Sequence, residues 1–337
     1  MANQDLISVI MPTYNRAEQV GKMINQLLHQ TYQNFELIIV NDGSTDDTKN
    51  QLSILEKNDN RIRSITIPNG GPSNARNIGI EKAHGYYITF IDDDDEIPNN
   101  YLELLMAKEN EDIDYIIDSY SIDHGAQTLD IVNYPEFKTK DIDTGINYIF
   151  TEMQKYRYCF YTIGKRYKNK ILNDYNIRFK TNLSLGEDRP FALDYLCHCK
   201  SLKIINTHSY IIKNIPDIGE RLSKSPRPID DLWSNFKANY DYLKNYSERY
   251  NKKLDKIAIE AYRENFLLEK VYYFIIIPRL KNGFTKKEYK FLKENILPEL
   301  KKIKYSNVRN KKLFCLNSLL LLLGIKNFTK ITKLIIG

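Results

Sequence analysis

Four carboxylates in a row, Asp92-Asp93-Asp94-Asp95, follow directly on the apolar run Tyr86-Tyr87-Ile88-Thr89-Phe90-Ile91. The run predicts a buried strand, so the acids stand at its C-terminal mouth. In extended backbone, residues two apart point the same way, and Asp92 and Asp94 can converge on one point. Adjacent negative charges repel, a cost that becomes tolerable when a divalent cation is the partner. A hard cation held by one or two protein carboxylates keeps positions open for phosphate oxygens. The competing reading is a solvated acidic turn. Position favours the cation, because ligands of open α/β sheets bind beyond the carboxyl ends of strands.

The elements that must position this cluster can be read from periodicity. Ile7 to Met11, Phe35 to Val40, Ile62 to Ile67 and Tyr86 to Ile91 read as strands. Between them, Val20, Met23, Ile24, Leu27 and Leu28 recur at helical spacing, as do Leu52 with Leu55, and Ala75, Ile78 and Ala83. Strands alternating with helices predict βαβ units and a mostly parallel sheet. The unbroken apolar character of the second and fourth strands predicts burial on both faces. Asp114 to Asp118 reads as a further strand, 120–180 gives no clear period, and Gly186-Glu187-Asp188-Arg189-Pro190 opens a helix with its acids where the dipole favours them. Beyond about residue 215 the pattern is helical and rich in Lys and Tyr, which places a boundary between 1–215 and 216–337.

The chain has 337 residues, 42% hydrophobic and 27% charged, enough for one large domain or two medium ones and ordinary for a soluble protein. The net charge of +6 is concentrated in the Lys-rich segment 281–333, a solvated face rather than a nucleic-acid-binding surface. Cys159, Cys197, Cys199 and Cys315 have no zinc-ribbon or thioredoxin spacing, which predicts reduced thiols and a cytoplasmic protein. Cys197-His198-Cys199 lies in a helical pattern, where neighbours two apart diverge, so it reads as packing. No signal peptide opens the chain, and no apolar run reaches the length of a membrane span.

Five segments in order, SVIMPTYN (8–15), ELIIVNDGSTDDT (36–48), NGGPSNARNIGI (69–80), YITFIDDDDEI (87–97) and GEDRPF (186–191), resemble the family-2 glycosyltransferases. Each is weak alone; together, over some 190 residues, they are specific. The C-terminal third carries no comparable match. The resemblance implies a GT-A fold, a Rossmann-like, mostly parallel sheet with flanking helices, followed here by a C-terminal helical region. It implies transfer of a hexosyl or N-acetylhexosaminyl group from a UDP-sugar with inversion, assisted by Mn²⁺ or Mg²⁺. The acceptor would be a hydroxyl of a glycan or lipid-linked molecule in bacterial surface polysaccharide or teichoic acid synthesis.

Carried over residue by residue, the resemblance puts the donor against Pro12, Thr13, Tyr14 and Asn15 after the first strand, with the Tyr14 ring on the uracil. A helix-opening turn is the alternative for this loop. Asp42 would accept from the uracil imide or serve its Asp-Gly turn. Gly71 permits close backbone approach, with Asn74 and Arg76 on the helix that offers free N–H groups to phosphate. Pro72 departs from the small apolar residue usual in the family, yet suits a helix start. Asp94 would be the direct metal ligand, Asp92 would contact ribose or metal through water, and Asp93 would support them. A one-residue shift in register stays open. His208 would complete the metal shell, with a surface or core histidine as the alternative. Asp188 matches the family's base and Glu187 its neighbour on the acceptor side; for an unassisted pair, helix N-terminal stabilisation would suffice.

Two rival functions are a sugar-1-phosphate nucleotidylyltransferase and a non-catalytic nucleotide- or glycan-binding subunit. The first would show a Gly-rich loop after the first strand, where Pro12-Thr13-Tyr14-Asn15 has no glycine; the second is disfavoured by Asp94 and Asp188 together. Residues 215–225, with Arg221 and Ser223, are a candidate flap or a plain linker. In 301–337, Leu313 to Leu316 and Leu319 to Ile325 are flanked by Lys and Arg, which suits peripheral contact with the inner face of an anionic membrane. A terminal helix buried against the protein or in a homo-oligomer is the equal alternative.

Overall fold

A computed structural model describes residues 6–110, 113–125, 128–153, 156, 159–213, 227–244, 246–250, 252–304, 311–312, 314–321 and 324. In chain order, the first part holds β1 Ile7–Thr13, α1 Val20–Leu28, β2 Phe35–Asn41, α2 Thr48–Asn58, β3 Ile62–Thr66, α3 Pro72–Lys82 and β4 Tyr87–Phe90. The apolar runs form strands because burial on both faces removes their side chains from water: Ile7, Val9 and Ile10 of β1 and Leu37 to Val40 of β2 are wholly buried. α1 buries Val20, Met23, Ile24 and Leu27, the stripe its spacing predicts.

The chain continues through α4 Tyr101–Met106, β5 Tyr115–Asp118, β6 Tyr120–Asp123, β7 Leu129–Val132, β8 Phe137–Thr139, α5 Ile142–Thr151, β9 Lys165–Lys168, α6 Asn169–Asp174, α7 Asp188–His198, β10 Leu202–Ile205 and β11 Ile211–Lys213. Eight strands make one sheet in the order β3-β2-β1-β4-β9-β5-β10-β8; β11, β6 and β7 form a second. β3, β2, β1 and β4 run parallel, and β9 enters antiparallel between β4 and β5. The chain builds outward from β1 to β3, then returns to lay β4 on the other side of β1. That reversal opens a crevice beyond the carboxyl ends of β1 and β4, where Tyr14 and the aspartate cluster lie.

α3 lies close against β1 because of Gly79. A Cβ there would fall 2.3 Å from Ile10 Cγ2, inside any real contact. Gly79→Ala gains roughly 1 kcal/mol of helix propensity but overpacks by about 1–3 kcal/mol. The urea midpoint should therefore fall; an unchanged or higher midpoint would show that α3 can move off the sheet without cost.

The chain divides into two compact units, residues 1–219 and 220–337. The second contains α8 Ile229–Lys244, α9 Tyr246–Arg249, α10 Lys256–Lys270, α11 Ile277–Asn282, α12 Lys286–Phe291 and α13 Leu297–Leu300, with wider π-type turns at Val271–Ile276 and Leu292–Ile296. Asp255 caps α10 through Ile257 and Ala258, and Thr285 with Glu288 forms a capping box on α12. Residues 314–321 are helical; Leu320 is buried and Asn317 donates to the Leu300 carbonyl at 3.2 Å. Most of the remaining apolar C-terminal run lies outside the described residues. The candidate flap at 215–225 does too. Among the described residues, no helix is long and apolar enough to cross a membrane. All four cysteines are free thiols; Cys197 and Cys199 are buried, and His198 stacks on Tyr175.

Candidate active site

The crevice is built by side chains that tie its loops together. Thr13, the last residue of β1, donates its hydroxyl to Asp93 at 2.5 Å. Arg16 reaches Asp93 at 3.5 Å and Asp94 at 3.7 Å. Asn15 takes a positive φ of 53°, and its carboxamide oxygen accepts from the Thr45 amide, joining the loops after β1 and β2. Tyr14 is left 45% exposed on the rim.

The four aspartates divide by environment. Asp95 is buried, accepting from the Tyr210 hydroxyl and the Lys213 amide at 3.0 Å each. Tyr210 also accepts from the Asp92 amide, which fixes the backbone of the cluster. Asp93 is tucked inward, and burial, with Asp94 and Asp92 beside it, pushes its carboxyl up to about 7 against Thr13 and Arg16. Asp92 and Asp94 keep the more exposed side chains, 35% and 14%. Hard oxygen donors in that state fit a hard divalent cation.

Arg76, on the second turn of α3, connects this cluster to the opposite wall. Its guanidinium lies 2.9 Å from Asp92, 3.4 Å from Glu187 and 4.0 Å from Asp188, over the Phe179 ring. Burial opposes its charge, but Asp92, Asp188 and Glu187 outweigh that and raise its pKa. The approach of the two walls has an aromatic cause. Phe90, two residues before Asp92, packs edge-on against Phe191, one turn after Asp188, at 5.8 Å; Phe179 stacks flat on Phe191 at 3.9 Å.

Asp188 opens α7 after Gly186, whose φ is 80°. Its Oδ1 accepts from the Thr162 hydroxyl at 3.3 Å. Burial first, then the Glu187 carboxylate, push its carboxyl up to about 7, while Arg76 and Lys165 pull it down. A carboxyl poised near neutrality suits proton abstraction.

Other expected residues carry structural contacts as well. Both Asp42 oxygens accept backbone amides, from Gly70 and Gly71 at 2.8 Å, so its carboxylate clamps the 69–71 loop. That clamp sets Gly71 at φ 83° as the cap of α3, and Asn74 packs on Gly70 so closely that a Cβ there would sit 2.7 Å from its amide nitrogen. Pro12 is an interior residue of β1, paired with Val40. His208 is not brought into the metal shell. Its left-handed backbone, φ 53°, turns the ring to Asn133 Oδ1 at 2.8 Å, and no group of three potential ligands exists among the described residues. Arg16, Thr162 and Lys165 escaped sequence reasoning; Arg16 alone had a signal, its place just beyond the first strand.

The chain matches the family model described as Glycosyl transferase family 2 over residues 8–174. An uncharacterized glycosyltransferase of Haemophilus influenzae is 32% identical over 235 residues, covering 69% of this chain and 87% of that one. The uncharacterized glycosyltransferase EpsJ of Bacillus subtilis is 28% identical over 249 residues, 72% of this chain and 70% of the relative. Among solved structures, residues 1–349 of S. aureus TarS in complex with UDP-GlcNAc superpose with a TM-score of 0.72 at 21% identity, covering 97% of this chain and 90% of that one. This likeness, with the parallel half-sheet and its crevice, is that of a GT-A fold.

Proposed function

This chain belongs to glycosyltransferase family 2, and from that premise we propose that it transfers a sugar from a UDP-sugar to an acceptor hydroxyl with inversion, using Asp188 as the base. The observation that carries this reading is the Arg76 guanidinium, which contacts Asp92 on the donor side and Glu187 and Asp188 on the other within 4.0 Å. Donor and acceptor walls are thus held a few ångströms apart, as direct displacement requires. The UDP-GlcNAc bound by TarS supports UDP as the donor's carrier. Whether the sugar is a hexose or an N-acetylhexosamine is a choice for the donor screen.

In this reading the exposed Tyr14 ring stacks on the base, a contact worth ~1–3 kcal/mol in related systems. Asp42 serves the base site indirectly, by holding Gly70 and Gly71 where the backbone can approach the donor. Asn74 and Arg76 face the diphosphate from α3, while Pro12, Thr13 and Asn15 shape the base pocket. Asp94 and Asp92 would hold Mn²⁺ or Mg²⁺, with Asp93 supporting them, and the bound ion would supply Lewis-acid neutralisation of the diphosphate. Asp188 Oδ2 takes the proton of the acceptor hydroxyl as that oxygen attacks the anomeric carbon, and Glu187 orients the acceptor. Residues 1–215 form the catalytic domain. The region 216–337 serves acceptor, oligomer or membrane-surface contact, and the acceptor is a glycan or a lipid-linked saccharide at the inner face of the membrane.

UDP release from a panel of UDP-sugars, with and without candidate acceptors, tests the reading. One sugar should raise release well above the rest, and acceptor should raise it further. Absence of release with every UDP-sugar, alongside release from another nucleotide sugar, would reassign the base specificity.

A further inference from the structure

Two buried polar side chains, one just before β9 and one at its start, have no part in the scheme above. Thr162 is 1% and Lys165 2% exposed. Along β9 the faces alternate. Tyr167 packs on Phe191 and Tyr195 of α7, at 5.5 and 5.0 Å. Arg166 turns the other way, 3.7 Å over the Tyr87 ring, and donates to the Leu105, Asn110 and Ile113 carbonyls. Lys165, two residues before Tyr167, shares its face of β9.

Thr162 precedes Lys165 by three residues, a separation that in regular strand puts side chains on opposite faces. Gly164 breaks the alternation with φ 64°, stabilised by the Asp118 amide donating to its carbonyl at 2.9 Å. Thr162 can therefore share the side of Lys165, and its hydroxyl reaches Asp188 Oδ1 at 3.3 Å.

The charge balance points the same way. Lys165 Nζ donates to the Ile163 carbonyl at 3.2 Å. Burial lowers its pKa to about 8, and Cys159, Asp188 and Asp118 are the groups that act against burial. Burial pushes the Cys159 thiol up to about 12, so it is neutral. Asp118 is taken up by the Thr207 and Ser209 amides and hydroxyls. Asp188 is a carboxylate that favours the charged form of Lys165.

We propose that Thr162 and Lys165 are positioning residues for Asp188: the hydroxyl fixes Oδ1, the ammonium favours the ionised carboxylate, and Oδ2 is left to receive the acceptor proton. This rests on Asp188 being the base. The proton moves from the acceptor hydroxyl to Asp188 as the oxygen–carbon bond forms. The bond from the anomeric carbon to the diphosphate breaks, and its electron pair leaves with UDP. Thr162 and Lys165 exchange no proton. The charged and titratable groups facing Asp188 are Glu187 on its own helix, Arg76 from α3, Asp92 beyond β4, and Lys165 and Tyr167 from β9. Arg76 is shared with Asp92 and Glu187.

The test measures kcat, donor Kd, the pH profile of kcat/KM and melting temperature for the parent, Thr162→Val, Thr162→Ser and Lys165→Met, with Asp188→Asn beside them. Lys165→Met should move the ascending limb to higher pH by roughly 0.5–1 unit. Thr162→Val should lower kcat on the order of 10-fold with donor Kd unchanged, and Thr162→Ser should recover most of it. Folded variants with the parental limb and parental kcat overturn the proposal, as does a loss that serine does not recover and that leaves the limb in place. If Lys165→Met does not fold, the Thr162 pair decides alone. Near-parental turnover in Asp188→Asn would instead overturn the base assignment itself; a dead Asp188→Asn with unaltered Thr162 and Lys165 variants overturns only the positioning role.

Discussion

Replacing Asp188 with asparagine should lower turnover by roughly 10²–10⁴-fold while donor affinity stays near that of the parent. Asparagine keeps the size of the side chain and an oxygen for the Thr162 hydroxyl, but has no basic lone pair to receive the acceptor proton. Donor binding is spared because Asp188 meets Arg76 only at 4.0 Å, whereas Asp92 holds it at 2.9 Å. A carboxyl raised to about 7 also fixes the sign of the pH response. Activity needs the ionised form, so kcat/KM should rise with pH through a limb centred near 7. Stability runs the opposite way. The folded pKa lies above the unfolded value, so between about pH 4 and pH 7 the native state binds the extra proton, and the contribution of Asp188 to stability falls as pH rises through that window. Asp188→Asn should accordingly melt no earlier than the parent at pH 8. Stopped-assay kinetics with calorimetry of donor binding checks the first claim. Near-normal turnover would move the base to Glu187.

The half-sheet around this site was legible because its strands are apolar on both faces, as in Leu37 to Val40, and its helices carry clean stripes, as in α1. β9 was not legible, for a physical reason. Its residues, Lys165-Arg166-Tyr167-Lys168, look like an exposed turn, yet the first three are almost wholly buried in the middle of the sheet. Arg166 is tolerated there because three carbonyls accept its N–H groups, and hydrophobic periodicity cannot register burial satisfied by hydrogen bonds. The same limit hid Thr162 and Lys165. The aspartate cluster was visible as a motif, but the division of labour within it depends on Tyr210, more than a hundred residues away. Asp42 shows the converse. Its place at the end of β2 suggested a ligand contact or a turn role, and only the folded loop reveals the two amides that donate to its oxygens.

Asp94→Ala should abolish transfer and weaken UDP binding in Mn²⁺ by about 10-fold or more, leaving an affinity that EDTA no longer changes. Asp94 keeps a more exposed carboxylate than Asp93, and Arg16, which reaches it at 3.7 Å, also reaches Asp93 at 3.5 Å. Asp95 supplies the contrast. It is buried and accepts from Tyr210 and Lys213, so Asp95→Asn should cost roughly 1–3 kcal/mol of stability through imperfectly paired donors while the metal response of UDP binding persists. Asp93→Asn removes a carboxylate already pushed up to about 7 and held by Thr13 and Arg16, so it should relieve repulsion within the cluster and leave the metal response in place. Titration calorimetry of UDP with Mn²⁺ or EDTA, run on the three variants, therefore reads the register of the string directly. Loss of the metal response in Asp93→Asn or Asp95→Asn, with Asp94→Ala unaffected, would shift the ligand by one residue. Equal UDP affinity with and without metal in the parent would remove the ion from donor binding altogether, and the arginines Arg16 and Arg76 would then be the cations facing the diphosphate.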